Sequence, residues 1–162
     1  MFSAVGPGSL GVTGDEWDLL PWALATPSGI IDLKTGTIRP GQPGDMIKSP
    51  CPTPYDPDAT CPTFLHFIST VFADDPELIR FVQRAFGAAL IGQGTFKQYL
   101  IILSGIGRNG KDTLCAIILH VLGTHIAGEI PVELLLDSGK YGARSSQGPS
   151  ADLMKLRGMR LG

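Results

Sequence analysis

The stretch Gln98 to Gly123, QYLIILSGIGRNGKDTLCAIILHVLG, constrains this chain more than any other part of it. An apolar run, a glycine-rich turn, a lysine and a second apolar stretch follow one another without a gap. Tyr99–Leu103 is unbroken apolar sequence, the pattern of a strand covered on both faces. Gly105-Ile106-Gly107-Arg108-Asn109-Gly110-Lys111 then matches G-x-x-x-x-G-K. Thr113–Leu122 is apolar almost all round and reads as a buried helix, closed by Gly123 at its C′ position. This composition has a chemical purpose. Glycines let backbone N–H groups turn inward around phosphates, a helix N-terminus adds positive partial charge, and a lysine at this place reaches the β/γ oxygens. The expected ligand is a nucleoside triphosphate, ATP, with Mg²⁺.

The residue after such a lysine is ordinarily Ser or Thr, whose hydroxyl ligates Mg²⁺. Here it is Asp112, with Thr113 one step later. A carboxylate binds Mg²⁺ but also repels phosphate. The nucleotide-binding set is therefore Gly105, Gly107, Arg108, Asn109, Gly110, Lys111, Asp112 and Thr113. Lys111 is the catalytic cation, and Asp112 and Thr113 are the metal-side residues. Gly105, Gly107 and Gly110 also spell G-x-G-x-x-G, the dinucleotide fingerprint, with Glu129 and Glu133 beyond. That alternative needs a second strand ending in the acid, and Thr124–Glu129 is a poor strand. It also leaves Lys111 without a role.

A chain of 162 residues holds one full domain, or a small domain plus part of another. Tyr99–Leu103 is far too short to span a membrane, and MFSAVGPGSLGVTG lacks the basic start and apolar core of a signal peptide. Cys51, Cys61 and Cys115 are odd in number and lack CxxC spacing, so a disulfide framework is not expected and a reduced, cytoplasmic setting is. Cys51, Cys61 and His66 have the wrong spacing for a zinc finger. Packed or capping roles suit His120 and His125 better than ligand roles. The net charge of −2 hides a gradient: −7 over residues 1–79, +1 over 80–139 and +4 over 140–162. Lys140, Arg144, Lys155, Arg157 and Arg160 could face nucleic-acid phosphates or simply line a solvated loop and helix.

Upstream, residues 1–16 read as a flexible lead rich in Gly and Ser. A small β element is expected from Trp22, with Ile30–Leu33 and Thr37–Arg39 flanking a Lys34-Thr35-Gly36 hairpin turn. The proline-studded stretch Pro40–Pro62 predicts a loop. Two helices follow. The first opens at Pro62 and carries Phe64, Leu65, Phe67, Ile68, Val71 and Phe72 on one face. The second is capped by Asp74 or Asp75, carries Leu78, Ile79, Val82, Phe86, Ala89 and Leu90, and ends at Gly92 or Gly94. These faces read as helix–helix packing. Pro131–Leu136 is an apolar run of helix or strand, Ser138–Pro149 a loop, and Ser150 a cap for a short helix to Leu156.

Several separate segments, in order, resemble the phage/plasmid-type primase–helicase family: ATPSGIIDLKTGTIRPGQPGD, YDPDATCPTFLHFI, IRFVQRAFGAALIGQ, SGIGRNGKDTL and RSSQGPSADLMKLRGMRL. The resemblance covers residues 17–162 and joins a helical pre-motor domain to the start of a superfamily 3 helicase core. It implies an α/β organisation with three parts. Residues 1–16 lead in; 17–94 form a mainly helical domain with a β hairpin; 95–162 form the first part of a P-loop NTPase domain with a parallel sheet. It also implies ATP-driven DNA unwinding in replication by a hexameric ring, in a bacterial or phage-infected cytoplasm, with no membrane partner. The second strand of such motors, ending in acidic residues, would begin near Met159-Arg160-Leu161-Gly162, so the sequence reads as part of a longer protein and by itself as inactive. Two other readings stay open: a small-molecule P-loop kinase, and a non-catalytic nucleotide-binding or assembly module.

Overall fold

In the computed structural model the described residues are 16–92, 101–105, 107–130 and 158–161. Among them the chain runs through a three-stranded antiparallel sheet and then three helices. Strand β1 spans Ala23–Thr26, β2 Gly29–Asp32 and β3 Ile38–Arg39. Leu24 pairs with Ile31 and Ala25 with Ile30, so each pair shares one face of the sheet. The hairpin turn after β2 forms as its sequence predicts. The N–H groups of Thr35 and Gly36 donate to the Asp32 carbonyl, and Gly36 takes φ +71°. β1 has no equally strong local signal, and it is held by its register with β2. The N–H of Cys51 donates to the Ala25 carbonyl at 2.8 Å, so the proline-rich loop runs beside β1.

That loop holds a short 3₁₀ turn, Pro43–Asp45, whose Asp45 carboxylate pairs with Arg39. Helix α1 then spans Pro62–Val71 and α2 Pro76–Ala89, both with proline in the first turn. Asp75 caps α2 by accepting from the N–H groups of Glu77 and Leu78. Between the helices Ala73 and Asp74 both adopt positive φ, and the Ser69 hydroxyl bonds the Asp74 carboxylate. α2 stops at Ala89 with Leu90 as its cap, two residues before Gly92. Helix α3 spans Lys111–Leu122, closed by Gly123 at φ +71°.

The buried core joins the two ends of this layout. Leu24 and Ile31 from the sheet and Cys51 from the loop pack with Leu122, Ile126 and Ala127 at and beyond the end of α3. Ile118, Leu119, Leu90 and Leu161 close around them. The segment before Pro62 and the segment after Gly110 thus share one apolar interior. Leu161 forms an isolated parallel bridge with Ala127, close to where the resemblance expects a further strand to begin.

Three expectations are corrected. Residues 101–103 form no strand, and Ile102 is 77% exposed rather than buried. A strand needs a partner for its backbone groups, and no described strand lies beside these residues. Helix α3 is not buried all round; only Leu114 and Leu122 are, while Asp112, Thr113, Ala116, His120 and Val121 are exposed. The apolar faces of α1 and α2 are not closed by helix–helix packing: Leu65 and Leu78 are exposed, and neither helix contributes a fully buried residue. With α3 they enclose an apolar groove of about 720 Å³, bordered by Phe64, Phe67, Phe86, Ile117 and Val121. Tyr99 and Leu100, the runs from Pro131 to Leu156 and the lead to Asp15 lie outside the described residues.

Candidate phosphate-binding loop

Two of the helices begin in chemically opposite ways. At α2 the Asp75 carboxylate satisfies first-turn N–H groups. At α3 the N-cap is Gly110, which has no side chain to bond the free N–H groups of the first turn. The positive end of α3 therefore opens onto the loop that precedes it.

Gly110 is required there for two independent reasons. Its φ is +83°, left-handed backbone that side chains disfavour. A Cβ at this position would also stand 2.6 Å from a Val71 methyl and 3.3 Å from the Phe67 ring. The last turns of α1 thus rest directly on the residue that starts α3. The sequence places Phe67 and Val71 on one helix face but gives no sign that this face meets the loop. Arg108 is also left-handed, at φ +62°, and its side chain is exposed, as is Gly107.

Lys111 folds back over the loop. Its ammonium donates to the Asn109 amide oxygen at 2.6 Å and to the Gly105 carbonyl at 3.3 Å. A Cβ at residue 105 would overlap the Asn109 amide nitrogen and lie 3.6 Å from the Lys111 ammonium. Gly105, Asn109 and Lys111 are therefore drawn together. A cavity of about 300 Å³ opens onto Lys111 and Asn109, its walls including Phe72, Leu78, Phe81 and Ile102. Asp112 and Thr113 sit exposed in the first turn of α3. A carboxylate and a hydroxyl are hard oxygen donors of the type Mg²⁺ takes. Among the described residues, no three His, Cys, Asp or Glu side chains gather into a metal cluster.

Arg160 sits apart from this loop and is turned inward. Its guanidinium donates to the carbonyls of Leu90 and of Ala23, the latter at 2.9 Å. Burial pulls its pKa below the ordinary arginine value, against the opposing pull of the Asp18 carboxylate. One of the five C-terminal basic residues is thus committed to internal carbonyls; the other four lie outside the described residues.

Residues 7–73 match the family model described as D5 N terminal like. That model describes the N-terminal domain of phage and plasmid primase–helicases of the D5 type, and over this segment the resemblance read from the sequence is borne out. The matched segment contains the sheet, the proline-rich loop and α1; the glycine loop and α3 lie beyond it. No curated protein matches the chain. No described helix is long and apolar enough to cross a membrane.

Proposed function

We propose that Gly105 and residues 107–113 bind ATP through its phosphates and their metal, and that the chain is part of a primase–helicase in which ATP hydrolysis drives DNA unwinding during replication. The observation that supports this most directly is the convergence of the Lys111 ammonium on the Gly105 carbonyl, beside a helix N-terminus whose N-cap residue is glycine. In this reading the α3 N–H groups and Lys111 bind phosphate oxygens, the cation countering charge that builds on the transferred group. Asp112 and Thr113 would hold Mg²⁺, which when bound supplies charge neutralisation at the β- and γ-phosphates. Phe67 and Val71, pressed against Gly110, fix where α3 begins and so where its N–H groups point. DNA as the partner is supported by the match of residues 7–73 to a domain found in replication proteins. A ring of identical subunits, as in such motors, completes the proposal.

The test is a titration of ATP with Mg²⁺ against the wild-type chain and Lys111→Ala. Binding to wild type that falls at least ten-fold in the variant, with both chains equally folded by circular dichroism, supports the loop assignment. Equal affinity overturns it. For the helicase reading, DNA-stimulated ATPase is measured on the full reading frame; hydrolysis indifferent to DNA counts against it.

A further inference from the structure

The Asn109 side chain folds over the loop and bonds the lysine that the phosphate reading relies on. Its amide oxygen stands 2.6 Å from the Lys111 ammonium, and its amide nitrogen lies so close over Gly105 that a Cβ there would overlap it. The carboxamide therefore packs over Gly105 and beside the lysine it bonds. It is flanked by two left-handed residues, Arg108 and Gly110, which turn the chain tightly on either side of it. A neutral amide oxygen at this distance from an ammonium makes a charge-assisted bond, stronger than a neutral pair and weaker than an ionic bond to phosphate.

We propose that Asn109 is a positioning residue that latches Lys111 across the loop, and that triphosphate engages the lysine fully by displacing this amide from the ammonium. This rests on the phosphate-loop reading and adds a competitor within it. Two of the three ammonium protons are taken by Asn109 and Gly105. A phosphate oxygen that takes over the Asn109 position must first break a bond the protein makes with itself. The latch lowers affinity for any polyphosphate that takes the lysine from Asn109.

Inorganic tripolyphosphate, which has no base or sugar, isolates this effect. Calorimetric titrations compare the full 162-residue chain with Asn109→Ala, Asn109→Asp and Lys111→Ala. Removing the latch should tighten tripolyphosphate binding roughly ten-fold, the expected size for one hydrogen bond to a charged group. Asn109→Asp should weaken it, because a carboxylate holds the ammonium harder and repels phosphate. The Lys111 ammonium resonance in ¹⁵N-lysine-labelled protein should lose its protection from exchange in Asn109→Ala, a change that a purely structural role for Asn109 does not produce. If Asn109→Ala unfolds early, Asn109→Ser serves instead, since its hydroxyl ends one bond short of the ammonium. Equal or weaker binding by the alanine variant, with Lys111→Ala still abolishing it, overturns the latch alone. Unchanged binding in Lys111→Ala overturns the phosphate-loop reading itself.

Discussion

The guanidinium of Arg160 donates to the main-chain carbonyl of Leu90, a residue 70 positions earlier that caps the end of α2. The same group reaches the Ala23 carbonyl in β1, 137 positions away. The backbone N–H of Arg160 in turn donates to Ile126, just beyond α3. One residue therefore ties the sheet, the end of α2 and the turn after α3.

Arg160→Ala should destabilise the chain by about 2–3 kcal/mol, since it removes two hydrogen bonds from a charged donor and leaves both carbonyls without their partner. Arg160→Lys should recover little, because an ammonium lacks the planar fork that reaches two carbonyls at once. Urea denaturation of the three proteins measures this. A shift no larger than that of an exposed arginine replaced by alanine would mean that the clasp adds nothing.

Gly110→Ala should lower the melting temperature and abolish binding of ATP with Mg²⁺. Left-handed backbone costs a side chain about 1–2 kcal/mol, and the added methyl would stand 2.6 Å from Val71. Val71→Ala in the same protein removes the clash but not the backbone cost, so the double variant should recover only part of the loss. Full recovery would show that the clash was the whole effect.

The Asp45 carboxyl is held to about 2 by its hydrogen bond with Arg39, against an ordinary value of 3.8. A depressed pKa in the folded state means that the pair contributes above about pH 4 and that its contribution is lost as pH falls through 2. A carbon-detected NMR titration of Asp45 should therefore show a midpoint well below that of an ordinary aspartate. In Arg39→Ala the midpoint should return toward 3.8. An unchanged midpoint in that variant would remove Arg39 as the cause.

Asp112→Ser should keep or raise Mg²⁺-dependent ATP binding, because a hydroxyl at this place serves the metal without repelling phosphate. Asp112→Lys should remove the dependence on Mg²⁺. ATP titrations across a Mg²⁺ series check both, and wild-type behaviour from Asp112→Ala would mean that the carboxylate takes no part in holding metal.

The elements legible in the sequence are those whose cause is local. Pro62, Asp75 with Pro76, and Gly123 mark helix ends through capping and backbone preference, and the helices start or stop there. Gly36 marks the hairpin for the same reason. In the candidate site, Gly105, Gly110 and Lys111 are legible because a fixed spacing carries them. What the sequence hides is contact between distant segments. Nothing near Arg160 announces that it will bond Leu90 and Ala23, and nothing near Val71 announces Gly110. The apolar run through Ile102 shows the converse: pattern alone favours a buried strand, but burial depends on what lies alongside.

The shared interior bears on how such a chain can be inherited. Leu24, Ile31 and Cys51 lie within the segment that matches a family model, whereas Leu122, Ile126 and Ala127, which fill the space against them, lie outside it. A recombination event that moved only the matched stretch into another protein would carry half of an apolar interface and leave the complementary half behind. The transplantable unit is therefore the sheet together with α3 and its following turn. Sequence similarity can mark a shorter stretch than the one that must travel intact.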